Sequence, residues 1–216
     1  NGMDDCLRIE VRGVVQGFQN WGPDGWILLL DANPGRFGAQ VSHAVVPDPA
    51  ALVDAEVRLI GVGAARVNMR AEATGSRIRV SIPEDLIVEV PPPSPDLVPR
   101  VPLDRLQTIR SMPTGRHRVR VEGTVTFAIP GKFFYLQNQL TAVRVETSSP
   151  LPLRPGDRVD AAGFVDMSRY VGTLTDATVR QIGAAPMVKP MTIRPVEILA
   201  LYDTALKTGQ VRMDVD

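Results

Sequence analysis

Thr114-Gly115-Arg116-His117-Arg118-Val119-Arg120-Val121-Glu122-Gly123 decides how this chain is read, because the sequence returns to the same phrase. Leu7-Arg8-Ile9-Glu10-Val11-Arg12-Gly13 stands near the N-terminus, and Thr208-Gly209-Gln210-Val211-Arg212-Met213-Asp214-Val215-Asp216 ends the chain. In the first two, apolar and charged residues alternate, the period of a half-buried strand. A glycine then interrupts the alternation, as at a bulge or a barrel bend. Self-similarity on this scale marks repeated modules. The sequence predicts two complete modules and the first strand of a third, cut from a longer protein.

The first module is placed over residues 1–91 and a proline-rich linker over 92–102. The second module, led by a short helix at Leu103-Asp104-Arg105-Leu106-Gln107, covers 103–186. A connecting helix over Pro195 to Lys207 and the opening strand of the third module complete 187–216. In the first module, further strands are expected at Trp26 to Leu30, Phe37 to Val41 and Ala55 to Val62. Arg77 to Ile82 and Leu86 to Val90 would close the set. Asn33-Pro34-Gly35 reads as a turn. Asp48 before Pro49 reads as the N-cap of a short helical turn. In the second module, strands are expected at Lys132 to Asn138, Ala142 to Thr147, Val159 to Gly163 and Leu174 to Ile182. Pro91-Pro92-Pro93-Ser94-Pro95 between the modules is stiff and cannot pair in a sheet, so it reads as a spacer. The predicted class is all-β: two tandem small five-stranded barrels with short connecting helices. A generic β-sandwich is the competing arrangement, since periodicity does not separate the two.

Hydrophobic residues make up 44% of the 216 residues, ample for packed cores. Lys+Arg and Asp+Glu both number 24, a net charge of zero. Non-specific nucleic-acid binding draws on a positive surface, so this balance speaks against nucleic acid as a partner. Cys6 is the one cysteine, which rules out an internal disulfide. No apolar run approaches the roughly 20 residues of a membrane span, and no signal peptide is visible. Neither absence describes a longer parent.

A phrase in the second module narrows the fold. Val121-Glu122-Gly123-Thr124-Val125-Thr126 is followed by Phe133-Phe134-Tyr135-Leu136-Gln137-Asn138, then Leu153-Arg154-Pro155-Gly156-Asp157-Arg158-Val159, then Gly163. This resembles the OB-fold pattern, in which a V-x-G-x-V-T strand precedes a Q-D strand end and a G-D turn into a fourth strand. The first module follows the same order but has Val53-Asp54-Ala55 in place of Pro-Gly-Asp. It also carries extra residues around Asn68 to Ser76. More narrowly, the chain resembles the tandem OB-like modules in the extracytoplasmic region of bacterial membrane-bound sensor histidine kinases. That resemblance implies a periplasmic, non-enzymatic input region without cofactors. Its partner would be a small ligand or a periplasmic protein, with any homodimer formed through the parent receptor. A signal would then change the angle of the modules about Pro91 to Pro95. The alternative is an OB module binding single-stranded nucleic acid, or an accessory domain of a secreted nuclease.

The residues offer no catalytic constellation. His43 and His117 fall in different modules, and a histidine-based triad needs a nucleophile and a carboxylate around one imidazole. Cys6, His43 and His117 are too scattered for zinc. Asp4-Asp5 and Glu84-Asp85 lack the spacing of a calcium loop. The expectation is therefore no catalytic and no metal-binding residue.

Binding surfaces are the remaining candidates. OB barrels bind ligands across strands two and three. On the second strand of module two, Phe134 and Leu136 share one face, and Phe133, Tyr135 and Gln137 share the other. With Arg144 and Glu146 of the third strand beside them, Phe133 and Tyr135 would stack on bases, sugars or a peptide. Packing against the neighbouring module or a linker is the favoured reading of the pair. Trp21 and Trp26 flank Gly22-Pro23-Asp24-Gly25: exposed they would form a contact site, buried they would plug the barrel end.

Overall fold

The computed structural model describes residues 6–32, 35–67, 73–106, 116–138, 141–166, 172–190 and 192. The chain divides into two compact units, Asn1–Leu97 and Val98–Asp216. In the first, the strands are β1 (Arg8–Asn20), β2 (Trp26–Asp31), β3 (Arg36–Val41), β4 (Glu56–Val67), β5 (Ala73–Val80) and β6 (Leu86–Val90). They follow the order β1-β2-β3-β5-β4, and β1 pairs with β4 to close the ring. The β3–β5 pairing is parallel. In the second unit, β7 (Val119–Ile129), β8 (Phe133–Gln137), β9 (Ala142–Glu146), β10 (Asp157–Asp166) and β11 (Thr173–Ala184) form a closed barrel. Its order, β7-β8-β9-β11-β10, is the same, and β9–β11 is again parallel. Both units are five-stranded OB-like barrels. Ring closure removes the sandwich, which would leave edges open.

The first barrel has six strand segments because its fifth strand is broken. β5 pairs with β4 from Val67 back to Val62, and β6 continues along the same edge from Leu59 to Glu56. The single long β11 does both jobs in the second barrel, pairing with β10 from Asp166 to Asp157. A 3-10 turn at Pro83–Asp85 makes the break, and Pro83 lacks the N–H that a ladder needs. Leu86 to Val90 is the last strand, as expected, and the contact of β1 with β4 closes the ring.

Three landmarks recur at matching positions. Gly13 and Gly123 sit where the first strand passes from one neighbour to the other. A Cβ on Gly13 would lie 2.9 Å from the Asp31 carbonyl oxygen, and one on Gly123 would lie 2.9 Å from Leu136 Cγ. Three residues further on, each strand carries a one-residue bulge, at Gln16 and at Thr126. The third landmark precedes the fourth strand. Gly156 has φ +97° and donates its amide to the Val125 carbonyl at 2.9 Å. Asp54 has φ +77° and donates to the Val15 carbonyl at 2.8 Å. Aspartate tolerates the left-handed region better than most residues, so Val53-Asp54-Ala55 makes the turn that Pro155-Gly156-Asp157 makes.

Each barrel has its own core. Val15, Leu28, Leu30, Val57, Leu59 and Ile78 centre the first. Val121, Val125, Phe134, Leu136, Val159 and Leu174 centre the second. Asp48 caps the 3-10 turn Pro49–Leu52, its Oδ1 accepting from the Ala50 amide at 3.0 Å. The helix expected at Leu103 opens as a 3-10 turn, Leu103–Arg105, with Leu106 helical and residues 107–115 outside those described. It follows a strap in which Arg120 N donates to the Pro99 carbonyl and Val101 N to the Arg120 carbonyl, both at 2.8 Å. Leu103 and Leu106 then enter the second core. The helix expected over 195–207, the third-module strand, Asn33-Pro34 and Asn68 to Met69 lie outside the described residues.

Candidate functional site

The outer face of β7, β8 and β9 gathers three aromatic residues of the second barrel, Phe127, Phe133 and Tyr135. On β8 the alternation runs unbroken. Phe134 and Leu136 are buried in the core, while Phe133, Tyr135 and Gln137 look outward and stay partly accessible. On β7 the bulge changes the outcome. Val125 pairs with Leu136 and Phe127 pairs with Tyr135, which leaves Thr126 as the extra residue. Strict alternation from buried Val125 would put Phe127 inside; the extra residue turns it out, and it is 47% exposed. β9 sets Arg144 opposite Tyr135 and Glu146 opposite Phe133.

These side chains touch. The Phe133 and Tyr135 rings are 5.7 Å apart between centroids, Phe127 and Phe133 are 6.1 Å apart, and Phe127 and Tyr135 are 6.2 Å apart. Arg144 Cζ lies 3.9 Å from the Phe133 ring centroid, and its Nε donates to Glu146 Oε1 at 3.1 Å. Phe133 is thus a support beneath a guanidinium rather than an open ring. Ile129, paired with Phe133, extends the apolar rim. The accessible surface consists of Phe127, Tyr135 and the outer side of Arg144. Such a surface can stack planar groups and hydrogen-bond their edges.

The structure brings together Phe133, Tyr135 and Arg144 as the sequence places them, and Gln137 ends the same face beside Ala142. Sequence alternation missed Phe127, because a bulge leaves no residue-type signal of its own. Only the matching bulge at Gln16 in the repeat hints at it.

The first barrel lacks this platform. Registers from the two bulges place Gly17, Leu29 and Gly38 where Phe127, Tyr135 and Arg144 stand. Ile27, in the place of Phe133, is buried against Gly38. Gln40, in the place of Glu146, is buried and accepts from Arg79 at 3.3 Å. Trp21 and Trp26 belong to this unit and take no part in the aromatic face. Trp26 packs against the first core, donates its Nε1–H to the Val46 carbonyl at 3.0 Å, and meets Phe18 and His43 edge-on. Its polar handle is satisfied internally, as expected of a plug. Trp21 closes the Gly22–Asp24 turn through a 3.0 Å bond from its amide to the Gly25 carbonyl. Glu84 and Asp85 lie in the turn between β5 and β6, and Asp85 pairs with Arg8 at 2.8 Å.

Among the described residues, no group of three or more His, Cys, Asp or Glu could hold a metal ion. No described helix is long and apolar enough to cross a membrane.

No family model matches the chain, and no curated protein does. Solved structures match it loosely. Asparaginyl-tRNA synthetase from Pyrococcus horikoshii, complexed with asparaginyl-adenylate, aligns over 52% of this chain at 21% identity and a TM-score of 0.35. The chain spans only 27% of that synthetase. A murine DNA binding protein bound with double-stranded DNA aligns over 85% of this chain and 99% of its own, at 13% identity and a TM-score of 0.28. The Ifi202 HINa domain in complex with 20-base-pair double-stranded DNA aligns over 82% and 96%, at 10% identity and a TM-score of 0.28. At these identities and scores the likenesses carry no argument about what this chain binds. One expectation is corrected: structures solved with nucleic acid stand among these neighbours, and zero net charge does not by itself set nucleic acid aside as a partner. The physical reason is that a sum over the chain says nothing about one face. Arginines here stand beside carboxylates in pairs such as Arg58–Glu89, Arg100–Glu122 and Arg180–Asp160, and base stacking on aromatic rings does not draw on net charge.

Proposed function

We propose that the second barrel binds single-stranded nucleic acid on the outer face of β7, β8 and β9. The observation that supports this reading is the surface of Phe127, Tyr135 and the Phe133-backed guanidinium of Arg144 on the strands where OB barrels take their ligands. Ring spacings near 6 Å suit successive unstacked bases, each stacking worth about 1–3 kcal/mol. Duplex DNA hides its base faces and fits such a surface poorly. The sensor-receptor reading rests on the motif resemblance alone.

Fluorescence anisotropy of a labelled oligothymidylate, titrated with the full chain at low and moderate salt, tests the proposal. Binding is expected, with Tyr135→Ala weakening it at least about fivefold. The salt slope should be shallow, because Glu146 offsets the charge of Arg144. Absence of binding, or equal binding by the Tyr135→Ala chain, would refute it.

A further inference from the structure

The guanidinium of Arg144 is held at one face and at Nε. Its Cζ rests 3.9 Å from the Phe133 ring centroid, and its Nε donates to Glu146 Oε1 at 3.1 Å. Its backbone is fixed in β9 between β8 and β11, where its amide donates to the Gly172 carbonyl at 3.2 Å. The two Nη groups have no hydrogen-bond partner among the described residues. A donor fork therefore stands beside the stacking surface of Phe127 and Tyr135, already oriented.

Such a fork fits two acceptors lying in one plane. Guanine offers that pair at O6 and N7. Unpaired cytosine offers one as well, at O2 and N3, whereas on adenine and thymine the neighbouring edge positions are one acceptor and one donor. A phosphate also offers paired oxygens, but its attraction depends on uncompensated positive charge, and the Glu146 carboxylate sits 3.1 Å from Arg144. A neutral base edge meets no such penalty. We propose that Arg144 makes this platform select guanine and unpaired cytosine over adenine and thymine, with Glu146 and Phe133 as positioning residues; the inference rests on the nucleic-acid reading above. Lysine in its place would keep the charge and lose the fork.

The test uses the full chain and labelled oligothymidylates carrying one central guanine, adenine, cytosine or 7-deazaguanine, the last lacking the N7 acceptor. Guanine and cytosine are expected to bind about tenfold tighter than adenine or plain oligothymidylate, and 7-deazaguanine to lose most of guanine's advantage. Arg144→Lys should bind every strand at the level of plain oligothymidylate. Glu146→Gln should steepen the salt dependence and lower the guanine preference. A circular dichroism melt confirms that each variant is folded. Equal affinity for all strands overturns the guanine inference and leaves the nucleic-acid reading standing, as does a preference that survives Arg144→Lys. If 7-deazaguanine binds like guanine and Arg144→Lys weakens every strand equally, Arg144 contacts phosphate and the inference fails. Failure of every oligonucleotide to bind overturns both.

Discussion

Gly123→Ala tests the claim that a glycine is needed where the first strand changes neighbours. An alanine Cβ there would stand 2.9 Å from Leu136 Cγ, 3.0 Å from the Gln137 carbonyl oxygen and 3.3 Å from Leu136 Cδ1. Neither neighbour has room to retreat. Leu136 is wholly buried, and Gln137 is paired with Thr124 in the ladder. Overpacking of this kind costs about 2 kcal/mol. The lower entropy of the unfolded alanine chain returns up to about 1 kcal/mol. The net loss of about 1 kcal/mol corresponds to a fall of about 4–8 °C in the melting temperature of a barrel this size. The assay is built into the sequence. Both tryptophans, Trp21 and Trp26, lie in the first barrel, so tryptophan fluorescence follows that barrel while calorimetry follows both. The substitution should lower one calorimetric transition and leave the tryptophan transition in place. A raised melting temperature would show that Leu136 yields and would refute the packing argument. Movement of the tryptophan transition would refute the independence of the cores.

Two further outcomes are expected. Trp26→Phe leaves the Val46 carbonyl without its 3.0 Å donor and should lower the stability of the first barrel by about 1–2 kcal/mol, read from urea unfolding by circular dichroism, with oligonucleotide affinity unchanged. Phe127→Ala removes a ring that is 47% exposed, so stability should fall by only about 1 kcal/mol, roughly half of what full burial contributes. Oligonucleotide affinity should nevertheless fall at least about fivefold; a large loss of stability would show instead that Phe127 is a core residue.

The strand pattern was legible because period-two alternation is local chemistry. Leu7 to Val11 and Val119 to Val121 announce half-buried strands, and the Phe133–Gln137 alternation assigns inner and outer faces correctly. Repetition of the opening phrase announced two similar modules. Asp48 and Pro49 announced a capped turn, since capping depends on three adjacent residues. The helix expected from Leu103 opens as a 3-10 turn, where tertiary contacts draw Leu103 and Leu106 into a core.

What the sequence by itself determined is the all-β character, the duplication and the side of each short strand that faces the core, for these follow from residues close along the chain. The tertiary structure alone decided which strands pair to close each ring, that β5 and β6 are halves of one strand, and that Asp54 can stand in for a glycine. It also decided the binding face. One extra residue at Thr126 reverses the direction of Phe127, and only pairing with Tyr135 across the ladder reveals it. The stacking of Arg144 on Phe133, a diagonal contact between strands, is likewise a product of register, and register is set by the whole barrel rather than by any segment read alone.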